Sequence, residues 1–332
     1  MTRAGIPGLE APDAALEAEL RAGLDRVEEA LQKAVRADFD FLTETASHLI
    51  EAGGKRFRPM LVLLAGYFGD PTDPRLVPGA VAIELTHLAT LYHDDVIDEA
   101  DFRRGRASAN SRWDNTVAIL TGDYLFARAS EISSDLGTEV SKLLARTIAT
   151  VCDGQIREVG MAGRLDLQTE DSYMEAINRK TAALIATSCR LGGMLSDAGE
   201  PHTDVLERFG GALGVGFQLS DDIMDVISTE GELGKEPGVD IKEGVYTLPV
   251  LQALEGNEEL RALLADGPPD DAALARALEI VGEDGSLRRA REAVTREVRR
   301  AVALAEEMPE STARTALVHL AQFIATRCGA DV

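Results

Sequence analysis

The chain has 332 residues, with 34 Lys and Arg against 57 Asp and Glu and a formal net charge of −23 at pH 7. That length buries a sizeable core in one large domain or two modest ones, and 45% hydrophobic with 27% charged residues is a folded, globular balance. So negative a surface excludes a broad basic face for nucleic acid or an anionic membrane. It also argues, at first sight, against an anionic substrate.

In chain order, residues 1–12 read as a loose tail and everything after them as helix. From Ala14 to Ala37, Leu16, Leu20, Leu24, Val27, Leu31 and Val35 recur at three- and four-residue spacings, one apolar stripe on an amphipathic helix. The same spacing predicts helices over 39–51, 57–68, 77–99, 111–135, 139–160, 170–196, 202–228, 245–254, 272–281, 284–307 and 311–326. No alternating strands with hairpin turns are predicted. Breaks fall at Gly53-Gly54, Gly69 to Pro74, Gly199 to Pro201, Gly231 to Gly244 and Gly267 to Pro269. None is a long linker, and there is no internal repeat. The expectation is a single all-α domain over 13–332, a bundle of about 11 to 13 helices around a central cavity.

The longest apolar run, Pro59 to Phe68, falls short of the ~20 residues of a membrane helix. No signal-peptide pattern opens the chain. Cys152, Cys189 and Cys328 are scattered, without CxxC or Cys/His ligand spacing, so a reducing cytoplasm is expected. The phosphate-loop, dinucleotide, HExxH and GxSxG patterns are all absent.

Two segments, Val77 to Ile97 and Leu206 to Ile227, carry few charges until their last turns, as helices inside a bundle do. Both end in the same pattern, DDxxD: Asp94, Asp95 and Asp98 in the first, Asp221, Asp222 and Asp225 in the second. Its first and last aspartates lie at i and i+4 on one helical face, where like charges cost about 0.2–0.5 kcal/mol per pair and more on burial. A divalent cation removes that conflict. Aspartate oxygens suit Mg²⁺, which takes one or two carboxylates and fills its shell with water and substrate phosphate.

Cations gather beside these acids. Lys55 and Arg58 flank a predicted helix start in Gly54-Lys55-Arg56-Phe57-Arg58-Pro59, Arg103 and Arg104 follow the first cluster, Lys180 precedes Thr181, and Lys235 follows the second cluster. Phosphate oxygens not held by metal need such charge-assisted donors. Taken singly, Arg56 or Arg103 reads equally well as part of an ordinary ion pair. His87 lies two helical turns before Asp94 on the same face. His93 forms an HD doublet with Asp94, but His48, His87, His202 and His319 supply no second metal-ligand pattern, so His93 is expected to pack or to support a ligand residue from behind.

In this order the motifs resemble those of the all-trans polyprenyl diphosphate synthases, from about residue 40 to 250. They are Gly54-Lys55-Arg56-x-Arg58-Pro59, Glu84-Leu85-x-His87, Asp94 to Asp98 with Arg103-Arg104-Gly105, Gly122-Asp123, Gly154-Gln155-x-x-Glu158, Lys180-Thr181, Phe217-Gln218 with Asp221 to Asp225, and Gly234-Lys235. The resemblance implies a homodimer that joins isopentenyl diphosphate to an allylic diphosphate with Mg²⁺, about three ions per site, or Mn²⁺ in its place. Asp94, Asp98 and Asp221 would coordinate the metal, with Asp95, Asp222 and Asp225 supporting. Arg103, Lys180 and Lys235 would bind the allylic diphosphate, and Lys55, Arg58, His87 and Arg104 the isopentenyl diphosphate. Thr181 and Gln218 would face the reacting carbons.

Ala89 and Thr90 lie one turn before Asp94, and Thr86 one turn deeper. In the resembling family, bulky aromatics here block the growing tail, so these small residues imply a long-chain product. A short-chain farnesyl or geranylgeranyl synthase is the alternative if another helix closes the pocket. A terpene cyclase shares the scaffold, but its usual second motif, (N/D)Dxx(S/T)xxxE, meets Asp225 and Thr229 at its last two positions. A non-catalytic subunit of a heteromeric synthase is the further alternative, against which the intact aspartates and cations argue.

Overall fold

The computed structural model describes residues 13–227 and 237–331; the expected tail over 1–12 lies outside them. The chain forms two compact units. The first comprises the stretch up to Ile148, Leu184–Glu207 and Met308–Ala316; the second comprises Ala149–Ala183, Arg208–Glu307 and the stretch from Leu317.

The first unit begins with α1 (Ala14–Ala34), α2 (Asp40–Glu51) and α3 (Phe57–Ala65). Asp13 caps α1 by accepting from the Ala15 amide at 2.8 Å, and the predicted stripe Leu16, Leu20, Leu24, Val27, Leu31 is buried. Next, α4 (Leu76–Ile97) is buried on nearly all sides until its last turn, with α1, α3 and α6 (Asn115–Asp135) packed against it. Its near-uniform apolarity follows from that position. Between them lie β1 (Phe102–Arg103), β2 (Arg106–Ala107) and the one-turn α5 (Ala109–Arg112). The stretch 184–195 belongs to α9 (Ala183–Leu195), where a side chain on Gly192 would come within 2.2 Å of the Val62 carbonyl oxygen. Only glycine permits that approach to α3.

The second unit contains the end of α7 (Thr138–Met161), then α8 (Glu170–Ile177), a π-helical turn (Asn178–Ala182) and most of α10 (Glu200–Ile227). After α11 (Val239–Lys242) come α12 (Leu248–Leu254), α13 (Glu258–Leu264), α14 (Asp271–Glu283) and α15 (Ser286–Glu306). In its core α15 packs against α12 and α14, burying Leu287, Val294, Val298 and Leu304. Finally α16 (Thr312–Arg327) runs from the first unit's residues into the second's. No helix of the described residues is long and apolar enough to cross a membrane.

Several local features differ from the sequence expectation, α11 inside the expected break at 231–244 and the split of 111–135 into α5 and α6 among them. A strand pair does form, with Phe102 opposite Ala107 and Arg103 opposite Arg106, but two residues per strand are too few to show alternation. Its turn residues Arg104 and Gly105 have φ of +53° and +73°, the twist that tight hairpins require. Helix α13 was not predicted, because seven residues hardly sample the helical period. And 170–196 is not one regular helix: the π turn interrupts it at Lys180 and Thr181, a local widening frequent at functional sites.

Candidate active site

In the first unit the last turn of α4 presents Asp94, half-buried, and Asp98, exposed, while Asp95 turns inward and is fully buried. Asp95 Oδ1 accepts from Arg103 Nε at 2.6 Å; its Oδ2 is buried and accepts no hydrogen bond from the described residues. Burial pushes the Asp95 carboxyl up, and Arg103 opposes the shift.

The cations are organised around Arg56. This residue adopts a left-handed φ of +48° and points its guanidinium inward, onto Glu28 of α1 at 2.8 Å, buried Glu84 of α4 at 3.0 Å and the Ile50 carbonyl at 3.1 Å. Its neighbours Lys55, exposed, and Arg58, half-buried, are thereby set on either side of a pinned residue. Arg104 donates to the Leu49 carbonyl at 3.2 Å and to the Gly53 carbonyl. A side chain on Gly54 would lie 2.9 Å from an Arg56 terminal nitrogen and 3.0 Å from one of Arg104, so glycine lets the two guanidiniums converge.

His87 feels this convergence. Burial, then the fields of Arg58, Arg104, Arg103 and Arg56, hold its imidazole well below the ordinary value, so it is neutral near pH 7. Burial also lowers Arg104, with Glu84 opposing and Arg56 and Arg103 adding to the shift. Four guanidiniums thus act on one neutral imidazole in an acidic protein, two of them, Arg56 and Arg103, also paired with carboxylates.

Along α4, Ala89 and Thr86 are fully buried and Thr90 is half-buried. Both threonines donate back into their own helix, Thr86 to Ala82 at 2.8 Å and Thr90 to His87 at 2.7 Å, so neither presents an uncommitted hydroxyl proton. Tyr92 points to α2, donating to the Thr45 carbonyl at 2.5 Å. His93 packs on α6, with Nε2 3.1 Å from the Ile119 carbonyl and its ring against Phe126.

In the second unit the end of α10 carries Asp221, half-buried, with Asp222 and Asp225, both buried. Arg327 of α16 lies 2.6 Å from Asp221 and stacks over Phe217. Asp222 uses both oxygens: Oδ1 accepts from Gln218 Nε2 at 2.8 Å, and Oδ2 accepts from the Tyr173 hydroxyl. Burial, with Asp221 and Asp225 adding, pushes its carboxyl up to about 7 despite those two donors. Thr181 donates to Gln218 Oε1 at 2.8 Å. Lys180 pairs with Glu158 of α7, and a side chain on Gly154 would meet the Lys180 amide nitrogen at 2.6 Å. The expected Lys235 lies outside the described residues.

Thus Lys55, Arg58, His87, Arg103, Arg104 and the first aspartates share one unit, while Lys180, Thr181, Gln218 and the second aspartates share the other. Sequence reasoning missed Glu28, Tyr173 and Arg327. The first two carry no pattern of their own. Arg327, a lone cation in the last helical turn, is indistinguishable in sequence from a surface residue. For Arg56 the ion-pair reading was the right one.

A family model for Polyprenyl synthetase matches residues 39–281. The chain is 43% identical to heptaprenyl diphosphate synthase component 2 of Geobacillus stearothermophilus, over 92% of this chain and 95% of that one. It is 40% identical to nonaprenyl diphosphate synthase of Mycobacterium tuberculosis, over 98% of both. Geranylgeranyl pyrophosphate synthase from Corynebacterium glutamicum, solved with calcium and isoprenyl diphosphate, is 42% identical and superposes with a TM-score of 0.84 over 96% of this chain and 99% of that one. Fold, motifs and relatives together define an all-α prenyltransferase. The chain belongs to the polyprenyl synthetase family.

Proposed function

We propose that this chain condenses isopentenyl diphosphate with an allylic diphosphate in a Mg²⁺-dependent reaction and extends the product to a long all-trans polyprenyl diphosphate. The observation that carries this reading is the cationic group around His87, built by the Gly54 to Pro59 loop and the 102–107 hairpin. Arg56 and Arg103 also serve internal ion pairs, and the gathering of four guanidiniums in so acidic a chain supports an anionic ligand.

The carboxylates fit a hard divalent ion: the donors are oxygen only, Asp95 keeps a buried oxygen without a hydrogen bond, and Asp222 is pushed up to about 7. Among the described residues no three His, Cys, Asp or Glu gather into a ready cage. That accords with Mg²⁺, which completes its shell with water and phosphate. Asp94, Asp98 and Asp221 would hold it, with Asp95, Asp222 and Asp225 in support; Mn²⁺ would suit the same oxygens. Bound there, the metal neutralises charge on a departing diphosphate.

The chain's own residues do the rest. Arg103, Lys180 and Lys235 bind the allylic diphosphate and stabilise it as it leaves. Lys55, Arg58, Arg104 and neutral His87 hold isopentenyl diphosphate so that its double bond meets the allylic cation in alignment. Thr181 and Gln218 face the reacting carbons, and a dry apolar pocket keeps water from the cation. No side chain forms a covalent intermediate in this scheme. Small Ala89, with Thr90 and Thr86, supports a long tail.

We further read residues 13–332 as one domain, because both units are assembled from interleaved stretches, and the boundaries at Ile148, Glu207 and Ala316 fall inside helices. A homodimer is expected from the resemblance, and three unpaired cysteines support a cytoplasmic setting. The test is incubation with isopentenyl diphosphate, Mg²⁺ and allylic primers of increasing length, followed by sizing of the products. Elongation by the purified chain alone supports the reading, whereas no product until a second component is added marks a heteromeric subunit. Ala89→Phe should shorten the product; an unchanged distribution would sink the tail assignment.

A further inference from the structure

Four side chains of the second unit form an unbranched line of hydrogen bonds. Tyr173 donates to Asp222 Oδ2, Gln218 Nε2 donates to Asp222 Oδ1 at 2.8 Å, and Thr181 donates to Gln218 Oε1 at 2.8 Å. The directions are dictated by chemistry. The Tyr173 phenol and the Gln218 NH₂ group are the donors to the two Asp222 oxygens. Tyr173 fills one, which leaves the other for the Gln218 NH₂ group. The amide can then offer Thr181 only its carbonyl oxygen. Thr181 must donate, and the lone pairs of its hydroxyl are left facing away from Gln218.

The backbone is shaped to make this line. Gln218 and Asp222 lie at i and i+4 on one face of α10. Tyr173 and Thr181 are eight residues apart (181 − 173). In an uninterrupted α-helix that separation overshoots two turns by about 80°, placing the two on different faces. The wider π turn at Asn178–Ala182 takes back part of that rotation, and both side chains reach the same α10 face.

We propose that Tyr173 is a positioning residue of the condensation: through Asp222 and Gln218 it orients the Thr181 hydroxyl so that its oxygen lone pairs stabilise the developing carbocation. This rests on the reading that Thr181 faces the reacting carbons. It also gives Asp222 a scaffold role, since both of its oxygens already serve the line. Tyr173 itself touches no reacting atom.

The test is a double-mutant cycle in the full chain, with steady-state kinetics on isopentenyl diphosphate and farnesyl diphosphate in Mg²⁺. Tyr173→Phe and Thr181→Val should each lower kcat about tenfold, with KM for either diphosphate moved by no more than about twofold. The double variant should be no slower than the slower single one, because both break the same line. Thr181→Ser, which keeps the hydroxyl, should leave the full Tyr173→Phe effect in place. If Tyr173→Phe does not fold by circular dichroism, Tyr173→Met, which also lacks the hydroxyl, replaces it in the cycle and must show the same non-additivity. Losses that multiply, or an unchanged kcat in folded Tyr173→Phe, overturn the proposal while the condensation reading stands. A wild-type chain that elongates no primer overturns both.

Discussion

The two aspartate-rich helix ends have the same five-residue pattern and different partners for their buried acids. In each, the second aspartate is buried, Asp95 on α4 and Asp222 on α10, and on α10 Asp225 is buried as well. Asp95 faces a guanidinium, Arg103, whereas Asp222 faces a phenol and an amide, Tyr173 and Gln218. Hydrogen bonds from neutral donors satisfy an oxygen without cancelling its charge, and Asp222 also sits beside two further carboxylates. Both motifs lie at the negative end of a helix, where acids are already unfavourable. The first unit gives its buried second aspartate a cationic partner, and the second gives its own only neutral donors. A repeated motif therefore does not imply a repeated role.

The largest expected effect tests whether the two ends are equivalent where they should be. Asp94→Ala and Asp221→Ala should each lower turnover by about 10³-fold, the scale of several kcal/mol of charge stabilisation, with the helical circular dichroism unchanged. If only one of them matters, the pairing of the motifs is wrong.

Next comes the pin of the first unit. Arg56→Met strands Glu84, which is 2% exposed, and should cost about 3 kcal/mol in urea unfolding. Because the loop also carries Lys55 and Arg58, KM for isopentenyl diphosphate should rise several-fold more than KM for the allylic substrate.

The guanidiniums beside the two motifs give a direct contrast. Arg103→Met leaves buried Asp95 without its charge partner and should cost about 1–3 kcal/mol. Arg327→Met should cost under about 1 kcal/mol, because Asp221 is 37% exposed and solvent screens the pair. Thermal unfolding of both variants checks the order, and the reverse order would break the contrast.

The last contrast is in pH dependence. His87 is depressed in the folded chain, so below about pH 6.5 the unfolded chain binds a proton that the folded chain refuses. Stability from this group is complete above that pH and falls as pH drops, by up to about 1.4 kcal/mol per unit. His87→Gln should show a shallower decline between pH 7 and 5 than wild type, and parallel curves would remove the cationic field from the account.

Much of this was legible in the sequence. Helices such as α1, α6 and α15 announce themselves because their apolar residues repeat with the helical period over several turns, and the aspartate pairs stand out because like charges at that spacing carry an energetic penalty. The hairpin at 102–107, helix α13 and the π turn were not legible, since each is too short or too local for periodicity to register. Tyr173 was invisible for another reason. A buried tyrosine looks like any core aromatic until the acceptor of its proton is known, and that acceptor lies 49 residues away.

By itself, then, the sequence determined the class of fold, the kind of chemistry and the identity of the charged groups, because these follow from local period, composition and motif order. Its net charge of −23 described an average and concealed the cations that matter. Only the tertiary structure decided which residues of each motif face inward, that Arg56 pins a loop through Glu28 and Glu84, and that Tyr173 and Thr181 meet the same face of α10. Such pairings depend on side-chain direction and burial across elements distant in the chain, and no local rule of spacing carries that information.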